Sequence, residues 1–189
     1  MNAARPSRAL LLGVALALLA ACGRTAPGGA KHFRYAEAAQ VPVEVPQRDQ
    51  LASLLAGFAQ RNGLYYRDTT PRAQRTSNGK QTLAIAMERQ VTSGRPWAEI
   101  AVSAIGDGPA LITFVTPLDK GVAPDSERQR AQLMADLRGK WPGTAEVPLL
   151  PDGGIPRQED LRVTPQGLRI DRAKAAEYKL PVNSPLLVE

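Results

Sequence analysis

Apolar residues recur along the chain at two periods, and each predicts its own kind of element. Residues 47–62 (QRDQLASLLAGFAQRN) place Leu51, Leu54, Leu55 and Phe58 at i, i+3, i+4 and i+7, one stripe of an amphipathic helix. Pro46 suits its start and Gly63 its stop. Gly57 inside it costs up to about 1 kcal/mol relative to alanine, so packing has to hold this helix. Residues 126–140 (SERQRAQLMADLRGK) form a second helix, capped by Asp125 or Ser126 and stopped by Pro142 and Gly143. Ala131, Met134 and Leu137 share one of its faces, with Leu133 and Trp141 beside it.

Between the helices the period shortens to that of strands. Residues 64–68, 82–91, 97–105 and 110–116 read as four strands, and residues 69–81 as a polar loop. Asp107-Gly108 suits a two-residue hairpin turn. That turn would set Ile112 opposite Ser103 and Phe114 opposite Ala101, away from the helices. Ahead of the first helix, Val41, Val43 and Val45 alternate weakly, while Pro42 and Pro46 make the segment an edge strand or an extended lead-in. Helix, four strands, helix predicts an α+β domain over residues 33–144, a four-stranded antiparallel meander with both helices on the Leu83, Ile85, Met87 face. Residues 145–189 turn rich in Pro and Gly and predict an extended C-terminal strap. It holds a small hairpin over 160–170 and one helical turn over 172–176, and its Leu149, Leu150 and Ile155 are expected to cover the second face of the sheet. The helix–sheet–helix order resembles, in architecture alone, the lipopolysaccharide-assembly lipoprotein family of the outer-membrane translocon.

A different run opens the chain. Residues 9–21 are continuously apolar but fall short of the roughly 20 residues that cross a bilayer. Arg5 and Arg8 precede them and no acid appears before Glu37, the make-up of a secretory signal. Leu19-Ala20-Ala21-Cys22 resembles the lipobox of bacterial lipoproteins. The resemblance implies that residues 1–21 are removed and that the Cys22 thiol carries a diacylglyceryl thioether. Gly23, where that family's inner-membrane proteins commonly carry Asp, implies the outer membrane, facing the periplasm. Residues 22–32 are then a flexible tether. With its one cysteine acylated, the remainder has no thiol for a disulfide or for catalysis. The chain carries a formal charge of +6 and stays basic after cleavage, which favours anionic partners and says nothing about fold.

Candidate chemistry is sparse. His32, the one histidine, lies in the tether, where no scaffold holds it for a triad. One His and one acylated Cys do not make a zinc site, so no metal or cofactor is expected. Ser77 and Lys80 match S-x-x-K, but Asn78-Gly79 between them makes a turn rather than the helix that motif needs. Gly106 and Gly108 lead into a strand, unlike a dinucleotide-binding loop. A turn at Ser93-Gly94 would pair Met87 with Ile100, Ile85 with Val102, and Glu88 with Glu99. Two carboxylates so placed could serve a hydrolase as acid and nucleophile, with Trp97 as a sugar platform. The plainer reading, which is favoured, is a solvated sheet face, or an arginine such as Arg67 shared between the two. Arg67, Arg72, Arg75 and Lys80 crowd one stretch, and guanidinium forks suit phosphate or carboxylate. No aromatic residue interleaves the last three, so nucleic acid is not implied. The sequence thus points to a membrane-anchored periplasmic lipoprotein with a non-catalytic binding, scaffold or envelope-assembly role. Its expected partners are the membrane through the N-terminal lipid, and an anionic lipid, lipopolysaccharide or envelope protein. A Glu88/Glu99 hydrolase is the alternative.

Overall fold

The computed structural model describes residues 33–89, 97–117 and 125–189. The signal segment, Cys22, His32 and the tether lie outside the described residues. In chain order the elements are β1 (Phe33–Val41), α1 (Arg48–Arg61), β2 (Leu64–Asp68), α2 (Thr70–Thr76), β3 (Gln81–Arg89), β4 (Trp97–Ile105) and β5 (Ala110–Pro117). They continue with α3 (Ser126–Lys140), β6 (Ala145–Glu146), β7 (Leu161–Thr164), β8 (Gly167–Asp171) and β9 (Leu187–Val188).

The class is α+β. The main sheet has six strands in the order β2-β3-β4-β5-β1-β6, every neighbouring pair antiparallel. It is larger than the four-stranded meander because the lead-in is not an edge. β1 inserts between β5 and the two-residue β6, and Pro42 falls just past its last residue, where its missing N–H breaks no ladder.

One face of this sheet meets α1 and α3. Leu83, Ile85 and Met87 of β3 join Ile100, Val102 and Ala104 of β4 and Ile112 and Phe114 of β5. Leu51, Leu55 and Phe58 of α1 and Leu133, Met134 and Leu137 of α3 close the same cluster. On α3 the buried stripe is Ser126, Gln129, Leu133, Met134 and Leu137, and Ala131 is exposed. The stripe runs two turns further toward the N-terminus than apolar residues reveal, because its first members are polar.

Ile112 and Phe114 correct the sequence register. Ile112 pairs with Val102 and Phe114 with Ile100, one residue off the expected alignment. A one-residue slip carries a strand's side chains to the opposite face. A two-residue type I′ turn needs positive φ at both central residues. Here the positive φ falls on Gly106, at 53°, and not on Asp107. The reversal therefore spans Gly106 to Pro109, with the Gly108 N–H on the Ile105 carbonyl at 3.0 Å.

The second face is covered in part by residues 145–189. Leu149, Leu150 and Ile155 pack with Leu111 and Ala38 against a small second core of Val147, Leu161, Leu168, Ile170, Ala175, Leu180 and Leu187. The expected hairpin is present as β7 and β8, and β9 adds to β8 in parallel. The apolar residue of β5 under this cover is Leu111, while Ala110, Ile112 and Phe114 belong to the first core.

Candidate functional site

Glu88 and Glu99 are not cross-strand partners. Met87 faces Ile100 as expected, but the register then shifts, and Glu88 faces Ala98 and Arg89 faces Trp97. Glu99 is the extra residue of this bulge. Such bulges kink a strand and re-aim a side chain. Glu88 alternates with Met87 and so lies on the face away from the helices, where the Arg67 guanidinium of β2 binds its carboxylate. Glu99 is turned toward α3. It accepts from the Arg89 guanidinium, at 3.2 Å for one of the two bonds, and from the Ser126 hydroxyl. Arg89 also donates to Gln129 Oε1 at 2.9 Å, and Gln129 reaches the Asn62 carbonyl at 3.4 Å. The hydrogen bond to Glu99 holds the Arg89 guanidinium above its ordinary value, against the opposing pull of burial. Glu99, Ser126 and Gln129 are all buried. The group is a polar tie between the sheet and the two long helices, and it explains why the N-terminal half of the α3 stripe is polar.

The four basic residues divide. Arg67 is engaged by Glu88. Arg72 and Arg75 ride on α2, a helix where the sequence reads as loop. Pro71 fits the first turn of α2, and the Asp68 carboxylate accepts the Thr70 N–H at 2.8 Å at its start. Thr69 then donates to the Ala84 carbonyl from N–H (2.8 Å) and hydroxyl (3.0 Å), while Ala84 N–H donates to the Thr70 hydroxyl at 2.9 Å. These bonds dock α2 along β3 where β2 has ended. Asn78 (φ 52°) and Gly79 (φ 78°) reverse the chain into Lys80. Arg72, Arg75 and Lys80 are exposed and form no ion pair among the described residues. Ser77 accepts the Gln81 N–H at 2.8 Å and, with the Asn78-Gly79 turn between, is not one helical turn from Lys80. Trp97 is the first residue of β4, paired with Arg89.

Two polar centres escape the sequence. The Arg48 side chain, 6% exposed, donates to the carbonyls of Gly106 (2.7 Å) and Gly108 (3.0 Å) and to the Thr82 hydroxyl. It ties α1 to the β4–β5 turn, and nothing in the periodicity marks it. In the C-terminal segment, buried Asp160 accepts from the Tyr178 hydroxyl at 2.5 Å and from Arg157 Nε at 3.0 Å, with Lys174 Nζ at 3.9 Å. Burial alone would raise this carboxyl. The Tyr178 hydrogen bond and the charges of Arg157 and Lys174 outweigh it and hold Asp160 below the ordinary aspartate range.

A carboxyl depressed on folding stabilises the fold above its unfolded pKa of about 3.9, and that contribution is lost as pH falls through the folded value. Wild type should therefore lose stability in the C-terminal segment over that acid window, and Asp160→Asn should be less stable near neutrality but flatter toward acid. Amide exchange of residues 161–171 between neutrality and strong acid reads both. Parallel acid curves for the two proteins would show that Asp160 is not the titrating tie.

Among the described residues no group of three His, Cys, Asp or Glu side chains is placed to hold a metal, and no helix is long and apolar enough to cross a membrane. No protein-family model, curated protein or solved structure matches the chain.

Proposed function

We propose that the protein is a lipid-anchored lipoprotein of the outer membrane, facing the periplasm, whose domain binds or scaffolds an anionic component of the envelope without catalysing a reaction. One observation supports the binding half most: Arg72, Arg75 and Lys80 are exposed and unpaired among the described residues, while Arg67 is neutralised by Glu88. Guanidinium groups left in water by the fold are free to fork onto phosphate or carboxylate oxygens. The anchoring half rests on Leu19-Ala20-Ala21-Cys22 and on Gly23. A hydrolase built on Glu88 and Glu99 is disfavoured, because the two do not face each other and each is held by an arginine.

The test of anchoring is Cys22→Ala. The variant should accumulate with residues 1–21 attached or appear in the soluble fraction, and the wild type should carry a lipid mass on Cys22. A Cys22→Ala protein that matures and stays with membranes through a high-salt wash would sink the anchor.

A further inference from the structure

The two outer strands of the main sheet differ in how much edge they leave open. β6, at one side, is two residues long. β2, at the other, is five residues long (LYYRD), with no proline, lysine or bulge in it. Natural sheets blunt their edges with such devices, because an open edge is a template for another strand.

Backbone parity along β2 follows from one hydrogen bond. The Thr69 N–H donates to the Ala84 carbonyl at 2.8 Å, in the register that sets Leu64 opposite Arg89 and Asp68 opposite Ile85. In an antiparallel pair, residues that exchange both backbone bonds alternate with residues that exchange none. Counting back by two from Thr69, Arg67 and Tyr65 turn their N–H and C=O toward β3. Leu64, Tyr66 and Asp68 turn theirs outward, and no backbone partner meets those groups among the described residues. The side chains divide by face as well. Leu64 and Tyr66 join the core under the helices, whereas Tyr65 and Arg67 lie with Glu88 on the opposite face. Tyr65 is 55% exposed, and the Arg67 side chain is 53% exposed even with its guanidinium on Glu88.

We infer that β2 is the surface by which two copies of this chain associate, through an antiparallel β2–β2 pair about a two-fold axis at Tyr66. Parity and charge select this register together. With Tyr66 opposite its own copy, Leu64 falls opposite Asp68, so the three residues with outward backbone groups meet one another along the whole strand. Tyr65 then falls opposite Arg67 of the second copy. Opposite side chains stand about 4.5–5.5 Å apart at Cβ, which brings each guanidinium to a phenol ring, a contact made twice by symmetry. Within its own chain Tyr65 is opposite Glu88, so the ring has an acid on one side and a cation on the other. An axis at Arg67 keeps the parity but sets the two Arg67 side chains against each other. An axis at Tyr65 leaves each Arg67 opposite Gly63, with neither ring nor acid. The strand is thus complementary to itself in one register, which an arbitrary extended peptide does not match.

The test has two arms, both on the full chain in detergent micelles. In the first, sedimentation equilibrium measures self-association of wild type, Tyr65→Phe and Tyr65→Lys. Tyr65→Phe keeps the ring and should dimerise as wild type does. Tyr65→Lys sets an ammonium against Arg67 of the second copy while facing Glu88 in its own chain. Its dimer dissociation constant should rise at least about tenfold, with the melting temperature of the dilute protein unchanged. A Tyr65→Lys protein that dimerises as tightly as wild type would overturn the inference. A wild type that stays monomeric to millimolar concentration would overturn it too, and would leave the edge to a strand of another protein. In the second arm, Tyr65→Cys and Arg67→Cys proteins are oxidised alone and mixed, and the disulfides are located by peptide mapping. Wild type, whose one cysteine is Cys22, controls for bonds through that residue. Bonds from 65 to 67 should form several times faster than 65 to 65 or 67 to 67, because opposite positions lie within disulfide reach and diagonal ones, at about 7–8 Å, do not. Equal rates in all three samples, or fastest bonding of 65 to 65, would overturn the register and the contact drawn from it.

Discussion

Replacing Phe114 by alanine should destabilise the domain by about 3–5 kcal/mol, the range for deleting a buried phenyl ring from a core that cannot collapse around the hole. For a chain of this size that lowers the melting temperature on the order of 10 °C. Phe114 is 1% exposed and sits among the residues that α1 and α3 cover. Its strand neighbour Val115 is half-buried on the other face, and Val115→Ala should cost only about 0.5–1.5 kcal/mol. The pair of variants separates two registers that differ by one residue. With Phe114 opposite Ala101 the large loss would fall on Val115, and with Phe114 opposite Ile100 it falls on Phe114. Urea unfolding of the two proteins under the same conditions gives the difference directly. Similar losses at both positions would mean that β5 is not held in the register described.

The register is also where sequence reasoning stopped being sufficient. Element type was legible wherever one face is apolar and unbroken: the α1 stripe of Leu51, Leu55 and Phe58 and the alternation of β3; between β4 and β5 a reversal was legible, but not its centre, which falls one residue before Asp107-Gly108. Pairing along β3 and β4 was legible as far as Met87 opposite Ile100, since both belong to the core. It failed one residue later, because a bulge obeys backbone geometry and side-chain partners, not hydrophobic pattern. Glu99 turns inward to meet Arg89 and Ser126, which come from β3 and α3, and no local signal announces that meeting. The placement of β1 in the interior was hidden for a similar reason: Pro42 and Pro46 flank its end, and only the three-dimensional path shows that both fall after the last paired residue. α2 was hidden because a short polar helix has no stripe to bury. It is held by the hydroxyls and amides of Thr69 and Thr70 on Ala84, bonds that two threonines in a polar stretch do not foretell. The cations of the candidate surface were legible as residues. That Arg67 is spent on Glu88 while Arg72, Arg75 and Lys80 are not was a matter of which strand lies beside which.

Arg48 carries the second large effect. Among the described residues no carboxylate pairs with its buried guanidinium, and the oxygens it satisfies are backbone carbonyls of Gly106 and Gly108 together with the Thr82 hydroxyl. A buried ion pair can often be exchanged for apolar residues at little cost because both charges leave together. Here the acceptors belong to the chain and remain. Arg48→Met would fill much the same space, leave the Gly108 carbonyl with no donor and leave the Gly106 carbonyl only the Thr82 hydroxyl, so the expected loss is about 1–3 kcal/mol. The Thr82 hydroxyl already donates to the Gly106 carbonyl at 2.8 Å and to the Ala104 carbonyl at 3.4 Å, which limits the damage to the turn itself. Arg48→Lys should recover less than half of that loss, since an ammonium on a flexible stem lacks the planar fork that spans Gly106, Gly108 and Thr82 at once. The defect should be local before it is global. The Gly106 amide on Lys80 and the Gly108 amide on Ile105 should exchange with solvent markedly faster in Arg48→Met, while amides at the middle of β3 and β4 follow only the overall loss of stability. Because Gly106 also holds Lys80, loosening this turn should slacken the Asn78-Gly79 reversal that follows α2. An Arg48→Met protein within about 0.5 kcal/mol of wild type, with unchanged exchange at Gly106 and Gly108, would show that the turn stands without the arginine beneath it.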